Sequence, residues 1–170
     1  VLARDGAVRS VYLIGQNYSF GQQVARGARE ILARKRPDVR IVGDELHPLG
    51  QVKDFAPYAA KIRQSGADAV ITGNWGNDLA LLVRAAREAG VTAAFYTFYA
   101  GSLGAVTAIG DAGAGRVKQV NEWHNNVPSA EIDAYAERYR ARYREDFYFM
   151  RVNTLVDMPG LTKIPIDGQP

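Results

Sequence analysis

Short apolar runs alternate along the chain with longer segments that have helical periodicity. Five of these runs are rich in β-branched and aromatic residues and mostly free of charge, which is typical of strands buried on both faces of a parallel sheet. The predicted strands are Val11–Gly15, Val39–Gly43, Ala69–Gly73, Ala93–Phe98 and Arg116–Val120. Strand, helix and strand follow one another in this pattern, as in right-handed βαβ units.

Four amphipathic helices are predicted between and after these strands. The first has an apolar stripe from Phe20 to Leu32, with Ser19 as its cap and Pro37 beyond its end. The others begin near Asp54, Asn77 and Ser129 and end near Gly66, Gly90 and Tyr143, and a short helix is expected over Leu103 to Ile109. The pattern therefore predicts an α/β fold: a doubly wound, mostly parallel sheet of about five strands, with helices on both faces.

Residues 1–158 are interpreted as one α/β unit. Asn153–Met158 begins as a helix, and Pro159-Gly160 interrupts it. Residues 159–170 are then expected to form an extended tail, either a hinge segment or the remnant of a truncated segment, with too little apolar content for a domain.

Composition narrows the possible functions. The 170 residues contain no cysteine, which excludes disulfides, thiolate nucleophiles and cysteine zinc sites. The 21 Lys and Arg against 18 Asp and Glu leave a net charge of +3. These cations are dispersed, so we expect no nucleic-acid partner. No apolar run approaches the roughly 20 residues that cross a bilayer, so no direct membrane insertion is expected, and the given chain has no visible signal peptide.

Signatures of catalysis are not found in the sequence. No phosphate-binding loop, dinucleotide fingerprint or G-x-S-x-G elbow follows a predicted strand. His47 and His124 are the only histidines, and neither has a second ligand at metal-pair spacing. His47 is interpreted as a hydrogen-bonding surface residue in a loop. We therefore expect a protein that is not an enzyme and that needs no metal or cofactor.

Aromatic and amide side chains follow the predicted strands. In an open parallel sheet, ligands bind outside the carboxyl ends of the strands. The candidate ligand-binding residues at these positions are Tyr18, Asn74, Trp75, Tyr99, Ala100 and Trp123. Aromatic rings at loop ends offer flat apolar faces, and an amide supplies the polar contact that orients a small molecule. The alternative is that the rings pack against a neighbouring domain or line the top of the core.

Several segments together resemble a known family. They are Val11–Gln23, Lys53–Ile62, Ser65–Leu79, Phe95–Gly101 and Gly113–Val117. In this order they resemble the type I periplasmic solute-binding proteins, in the branch of the Leu/Ile/Val receptors. The resemblance extends over roughly residues 7 to 158.

The resemblance implies a two-lobed periplasmic receptor that closes on a small-molecule ligand and delivers it to an ABC permease. It also implies that this chain is the second lobe, with the first lobe of the same protein missing. Family members continue the helix that begins at Asn153, whereas here Pro159-Gly160 intervenes. A second hypothesis is the ligand-sensing lobe of a cytoplasmic regulator with the same fold. A third, a flavodoxin-like or nucleotide-dependent enzyme, is disfavoured by the missing phosphate loop.

Site residues carried over from the family fall on Tyr18, Trp75 and Tyr99. Amino-acid receptors of this branch have an acidic residue at the position of Tyr99, where it pairs with the ligand ammonium. A phenol is uncharged near neutral pH, so an aromatic or aliphatic carboxylate is a better expectation than an amino acid. Asp78 or Glu122 could restore the charge, which keeps an amino acid as the alternative.

Overall fold

The computed structural model describes residues 5–102, 104–119 and 130–144. The strands are β1 (Ser10–Gln16), β2 (Arg40–His47), β3 (Ala69–Thr72), β4 (Ala94–Thr97) and β5 (Val117–Gln119). The helices are α1 (Ser19–Lys35), α2 (Ala56–Ser65), α3 (Gly76–Glu88), α4 (Ala105–Ile109), followed by a 3-10 helix at Gly110–Gly113, and α5 (Ala130–Tyr143). The chain divides into two compact units: Val1–Ala100 with Gly104–Val120, and Gly101–Leu103 with Asn121–Pro170.

The first unit contains a five-stranded sheet in the order β2-β1-β3-β4-β5. Every strand pair is parallel. Strand β2 lies on one side of β1, whereas β3, β4 and β5 follow on the other side. The direction of the strand order therefore reverses after β2. Loops that follow adjacent parallel strands then meet at one edge of the sheet, here the carboxyl-terminal edge.

Helices pack on both faces of the sheet, α2 and α3 on one face and α1 on the other. Tyr12 and Ile14 of β1 belong to a core with Phe95 and with apolar residues of α2 and α3. Val11 and Leu13 point to the opposite face, where they pack with Leu32 of α1. Successive residues of one strand therefore serve two cores, as the alternation of side chains across a strand requires. The predicted doubly wound parallel α/β fold is confirmed.

Strand β2 is longer than its sequence pattern predicts. It continues past Gly43 to His47, because residues 44–47 each pair with a residue of β1. The last pair is His47 with Gln16. It is an edge strand, so Asp44 and Glu45 interrupt its apolar pattern without disrupting its pairing. The Asp44 carboxyl accepts a hydrogen bond from Arg29, and that of Glu45 accepts one from Lys61. His47, expected in a loop, is in fact the last residue of this strand.

Three helices have an aromatic residue at the N-cap, which the sequence patterns do not predict. Tyr18 is the N-cap of α1, Phe55 that of α2 and Trp75 that of α3, and no cap side chain makes a capping hydrogen bond in these helices. Ser19, the expected cap, is instead the first residue of α1. Helix α2 ends as predicted, since Gly66 adopts φ 63°, a conformation that costs glycine little.

The second unit is described at Gly101, Ser102 and residues 130–144, which contain α5. The rings of Tyr139 and Tyr143, one turn apart on α5, have centroids 4.6 Å apart. The predicted helix at Asn153, the tail from Pro159 and the boundary between them lie outside the described residues. In the part of the chain that the structure describes, no helix is both long and apolar enough to span a membrane.

Asp68 joins the amino-terminal ends of β1 and β3, and this contact predicts a pH dependence of stability. Its Oδ2 accepts hydrogen bonds from the Arg9 amide (2.9 Å) and from the Ser10 amide (2.8 Å) and hydroxyl (2.9 Å). These donors, the Arg9 amide first, lower the pKa of Asp68 below its usual value. The charged carboxylate therefore stabilises the fold above the unfolded-state pKa, and this stability is lost as the pH falls through the folded-state pKa.

We expect Asp68→Asn to lower the free energy of unfolding by about 1 kcal/mol at pH 7, a modest value because the carboxyl is exposed. Urea unfolding at pH 7 and pH 3 measures this difference. The gap between wild type and variant shrinks at pH 3 as the wild-type carboxylate is protonated. A gap that stays constant over this range would contradict the role given to the charge.

Candidate functional site

Five aromatic side chains form a continuous group at the carboxyl-terminal edge of the sheet. We call it the aromatic row; its members are Trp75, Tyr18, Phe20, Tyr99 and Phe98. The Trp75 indole nitrogen donates to the Tyr18 hydroxyl at 2.7 Å. The Phe20 ring centroid lies 6.2 Å from that of Tyr18, 5.6 Å from that of Tyr99 and 5.9 Å from that of Phe98. The row thus connects the segments that follow β1, β3 and β4.

Phe20 is the member of the row that sequence reasoning did not assign to the site. The helical pattern places it in the buried stripe of α1, but the structure leaves it only half-buried, in contact with three other rings. The signal that could have found it is its position in the first turn of α1, two residues after Tyr18. The first turn of a helix after a parallel strand lies at the same edge as the loop.

An apolar groove of about 610 Å³ runs between α1 and the strands β3, β4 and β5. Phe20 and Phe98 belong to its wall, together with Ile31 and Ile71. Part of the apolar surface of Phe20 and Phe98 is therefore directed to this groove. Trp75, Tyr18 and Tyr99 are the members of the row that do not line it.

Polar side chains are buried beneath the aromatic row. Asn74 is completely buried, and its Oδ1 lies 3.0 Å from Nε2 of His47. Its backbone amide donates to the Thr72 hydroxyl at 3.0 Å. The prediction that Asn74 orients a ligand is left untested by this placement, since its Nδ2 is buried and has no partner among the described residues. Directly beside it in sequence, Trp75 is 43% exposed.

The interpretation of His47 as a surface residue is wrong. Its exposure is zero, and its ring packs edge-on against Phe55 with the centroids 4.9 Å apart. Nδ1 lies 3.1 Å from the Pro48 carbonyl oxygen, and Nε2 faces Asn74. The physical reason is the extension of β2 to His47, which packs its ring against Phe55 and Tyr58 at the start of α2. His47 therefore connects the end of β2 to Asn74 in the interior of the protein.

Asp78 is buried as well, with only 3% exposure. Its Oδ2 accepts hydrogen bonds from Gln16 Nε2 at 2.8 Å and from the Gly50 amide at 2.9 Å. It therefore ties α3 to the end of β1 and to the turn after β2. The expectation that Asp78 supplies a charge for a ligand is not tested by this arrangement, but both hydrogen bonds of its Oδ2 are made inside the protein.

The remaining predicted site residues have different surroundings. Tyr99 is half-buried against Phe20, whereas Ala100 is 7% exposed and packs in the core with α3. Trp123 and Glu122 lie outside the described residues. Among the residues that are described, no three His, Asp or Glu side chains converge as metal ligands. The site as described combines partly exposed aromatic rings, among them Trp75 and Tyr18, with buried polar side chains, among them Asn74 and Asp78.

A model of the family described as periplasmic binding protein matches residues 1–151 of the chain. The chain belongs to the periplasmic binding protein family. A relative called Leu/Ile/Val-binding protein homolog 4, from Brucella abortus (strain 2308), is 36% identical over 130 residues. This match covers 76% of the chain and 30% of the relative, so the chain spans about a third of that relative's length.

Solved structures of the family share the fold. The leucine-, isoleucine-, valine-, threonine- and alanine-binding protein from Brucella ovis, in a closed conformation, matches with TM-score 0.73 and 28% identity, over 85% of this chain and 37% of that chain. A branched-chain amino acid transporter substrate binding protein from Streptococcus pneumoniae, in complex with isoleucine, matches with TM-score 0.75 and 20% identity, over 91% and 45%. The family resemblance seen in the sequence is confirmed, and the partial coverage fits a single lobe.

Proposed function

We propose that this lobe is the second half of a non-catalytic solute receptor, and that Tyr18, Trp75 and Tyr99 form its ligand face. The observation that supports this most is the aromatic row, which gathers rings from three loops at the carboxyl-terminal edge of a parallel sheet. Three rings so placed, with Trp75 43% exposed, offer an apolar face at the edge where open α/β sheets bind ligands. In this proposal Asn74, Ala100 and Trp123 are further ligand-binding residues.

The receptor as a whole is proposed to contain a first lobe, to act in the periplasm and to deliver its ligand to an ABC permease. Family membership supports this, as does the similarity to the Leu/Ile/Val-binding protein homolog and to the leucine-, isoleucine-, valine-, threonine- and alanine-binding protein from Brucella ovis. In this proposal the two lobes close on the small-molecule ligand. The closed conformation of the Brucella ovis protein supports this by analogy.

For the ligand we propose a small aliphatic or aromatic carboxylate in preference to an amino acid. Tyr99 stands where amino-acid receptors of this branch have an acidic residue, and Asp78 is engaged with Gln16 and Gly50. An ammonium group would lose a charged partner that is worth roughly 1.5 to 3 kcal/mol. L-leucine and 4-methylpentanoate are a matched pair of probes, since they differ only in the ammonium group.

Trp75→Ala should weaken ligand binding in the full-length protein that carries this lobe. Ligand-dependent thermal stabilisation is the measurement, and at a ligand concentration of 100 Kd it amounts to about 2.7 kcal/mol for the wild type. Loss of an aromatic face should raise Kd about 10-fold or more. Ile41→Ala, which removes another exposed apolar side chain but on the edge strand β2, is the control and should leave the stabilisation unchanged.

Two outcomes would contradict the proposed function. One is a wild-type protein that none of the amino acids, aromatic acids or aliphatic acids stabilises. The other is tight binding by the 170-residue chain alone together with an unchanged Kd in Trp75→Ala, which would place the ligand elsewhere.

A further inference from the structure

The hydrogen bond between Trp75 and Tyr18 has a direction that chemistry determines. The indole nitrogen lies 2.7 Å from the phenol oxygen, and the two residues are 57 positions apart in the chain. An indole N–H can only donate, so the Tyr18 oxygen is the acceptor. No choice of tautomer or amide orientation enters this assignment. The Tyr18 hydroxyl therefore acts as an acceptor in its hydrogen bond with Trp75.

The hydrogen of the Tyr18 hydroxyl is left for another partner. Within the described part of the chain, the Tyr18 side chain makes one hydrogen bond, which it accepts from Trp75. A hydroxyl that accepts a hydrogen bond is polarised and becomes a better donor. Tyr18 also stands at the N-cap of α1, and its ring is held by Phe20. Its position and its polarity are thus both set before a ligand arrives.

We propose that Trp75 is a positioning residue that makes Tyr18 a dedicated hydrogen-bond donor to an acceptor oxygen of the solute. This inference rests on the proposed function and specifies its chemistry. A hydroxyl that already accepts from an indole has a hydrogen to give, and this suits a carboxylate or carbonyl oxygen better than an ammonium group. The pair therefore selects for the acceptor end of the ligand.

A double-mutant cycle in the full-length protein tests the coupling. The variants are Tyr18→Phe, which removes the hydroxyl, Trp75→Phe, which removes the indole N–H and keeps a ring, and the double variant. With 4-methylpentanoate and L-leucine as probes, Tyr18→Phe should raise Kd about 10-fold and Trp75→Phe about 3- to 5-fold. The double variant should resemble Tyr18→Phe alone, because Trp75 acts through the hydroxyl.

A control variant separates this coupling from a general loss of aromatic surface. Phe98 is 45% exposed, close to the 43% of Trp75, and it contacts the ring of Phe20. In the double variant of Phe98→Leu and Tyr18→Phe, the fold-changes in Kd of the two single variants should multiply, as they do for independent sites. A coupling of the same size in both cycles would mean that the aromatic row responds as a packed unit and that the indole N–H has no special role.

A spectroscopic measurement reports on the hydrogen bond directly. In the ¹H–¹⁵N spectrum of the full-length protein, the indole signal that disappears in Trp75→Phe is the signal of Trp75. Tyr18→Phe should shift the Trp75 indole proton upfield, and a purely structural role of Trp75 would not predict this shift. An unchanged indole signal, or free energies of binding that add in the cycle, overturns the inference while the receptor function stands. A wild-type protein that binds no probe overturns both.

Discussion

Gly21→Ala should destabilise the protein by about 3 kcal/mol or more. Gly21 lies in the first turn of α1, where a Cβ would stand 1.9 Å from the Gln16 carbonyl oxygen. That oxygen belongs to the backbone of β1, so it cannot turn aside as a flexible side chain would. Either α1 moves away from the sheet or the end of β1 distorts, and both displace Tyr18 and Phe20. Urea unfolding measures the loss of stability.

Gly27→Ala is the matched control in the same helix. A Cβ at Gly27 would meet no atom within 4 Å. Alanine in a helix interior is favoured over glycine by roughly 0.5 to 1 kcal/mol, so this variant should be slightly more stable than the wild type. If Gly21→Ala were as stable as Gly27→Ala, the close approach of α1 to β1 would not exist in solution.

Asp78→Ala should lower the free energy of unfolding by about 2 to 3 kcal/mol. It leaves the Gln16 side-chain amide, which is 1% exposed, without its acceptor, and a buried donor without a partner costs roughly 1 to 3 kcal/mol. It also releases the Gly50 amide, although Gly50 is exposed and water can replace the carboxyl there. Since Asp78 lies in the first turn of α3, Trp75 should become more mobile and ligand affinity should fall with stability.

Asp54→Ala is the control for the loss of a single acceptor. The Asp54 carboxyl accepts from the Ala56 amide at 2.8 Å, at an exposed position before α2, so its removal should cost less than about 1 kcal/mol. Equal losses from the two variants, measured by urea unfolding, would show that the buried network around Asp78 does not stabilise the edge of the sheet.

Much of the site is predictable from the positions of residues relative to the strands. Tyr18, Trp75 and Tyr99 each follow an apolar run, and parallel strands bring such positions to the same edge. Phe20 escaped this reasoning because its helical periodicity indicates burial, and periodicity does not distinguish a core residue from one at the end of a helix. His47 escaped it because charged residues at 44 and 45 conceal the continuation of β2.

The sequence by itself determines the alternation of strand and helix, the parallel sheet with helices on both faces and several of the residues that reach its carboxyl-terminal edge, among them Tyr18, Trp75 and Tyr99. These properties depend on local periodicity and on the positions of glycine and proline, and both can be recognised from neighbouring residues in the sequence. The direction of the Trp75–Tyr18 hydrogen bond, the burial of His47 and Asp78 and the need for glycine at position 21 are decided by the tertiary structure. Each is a distance between residues of different elements, and such a distance exists only after the sheet has brought those elements together.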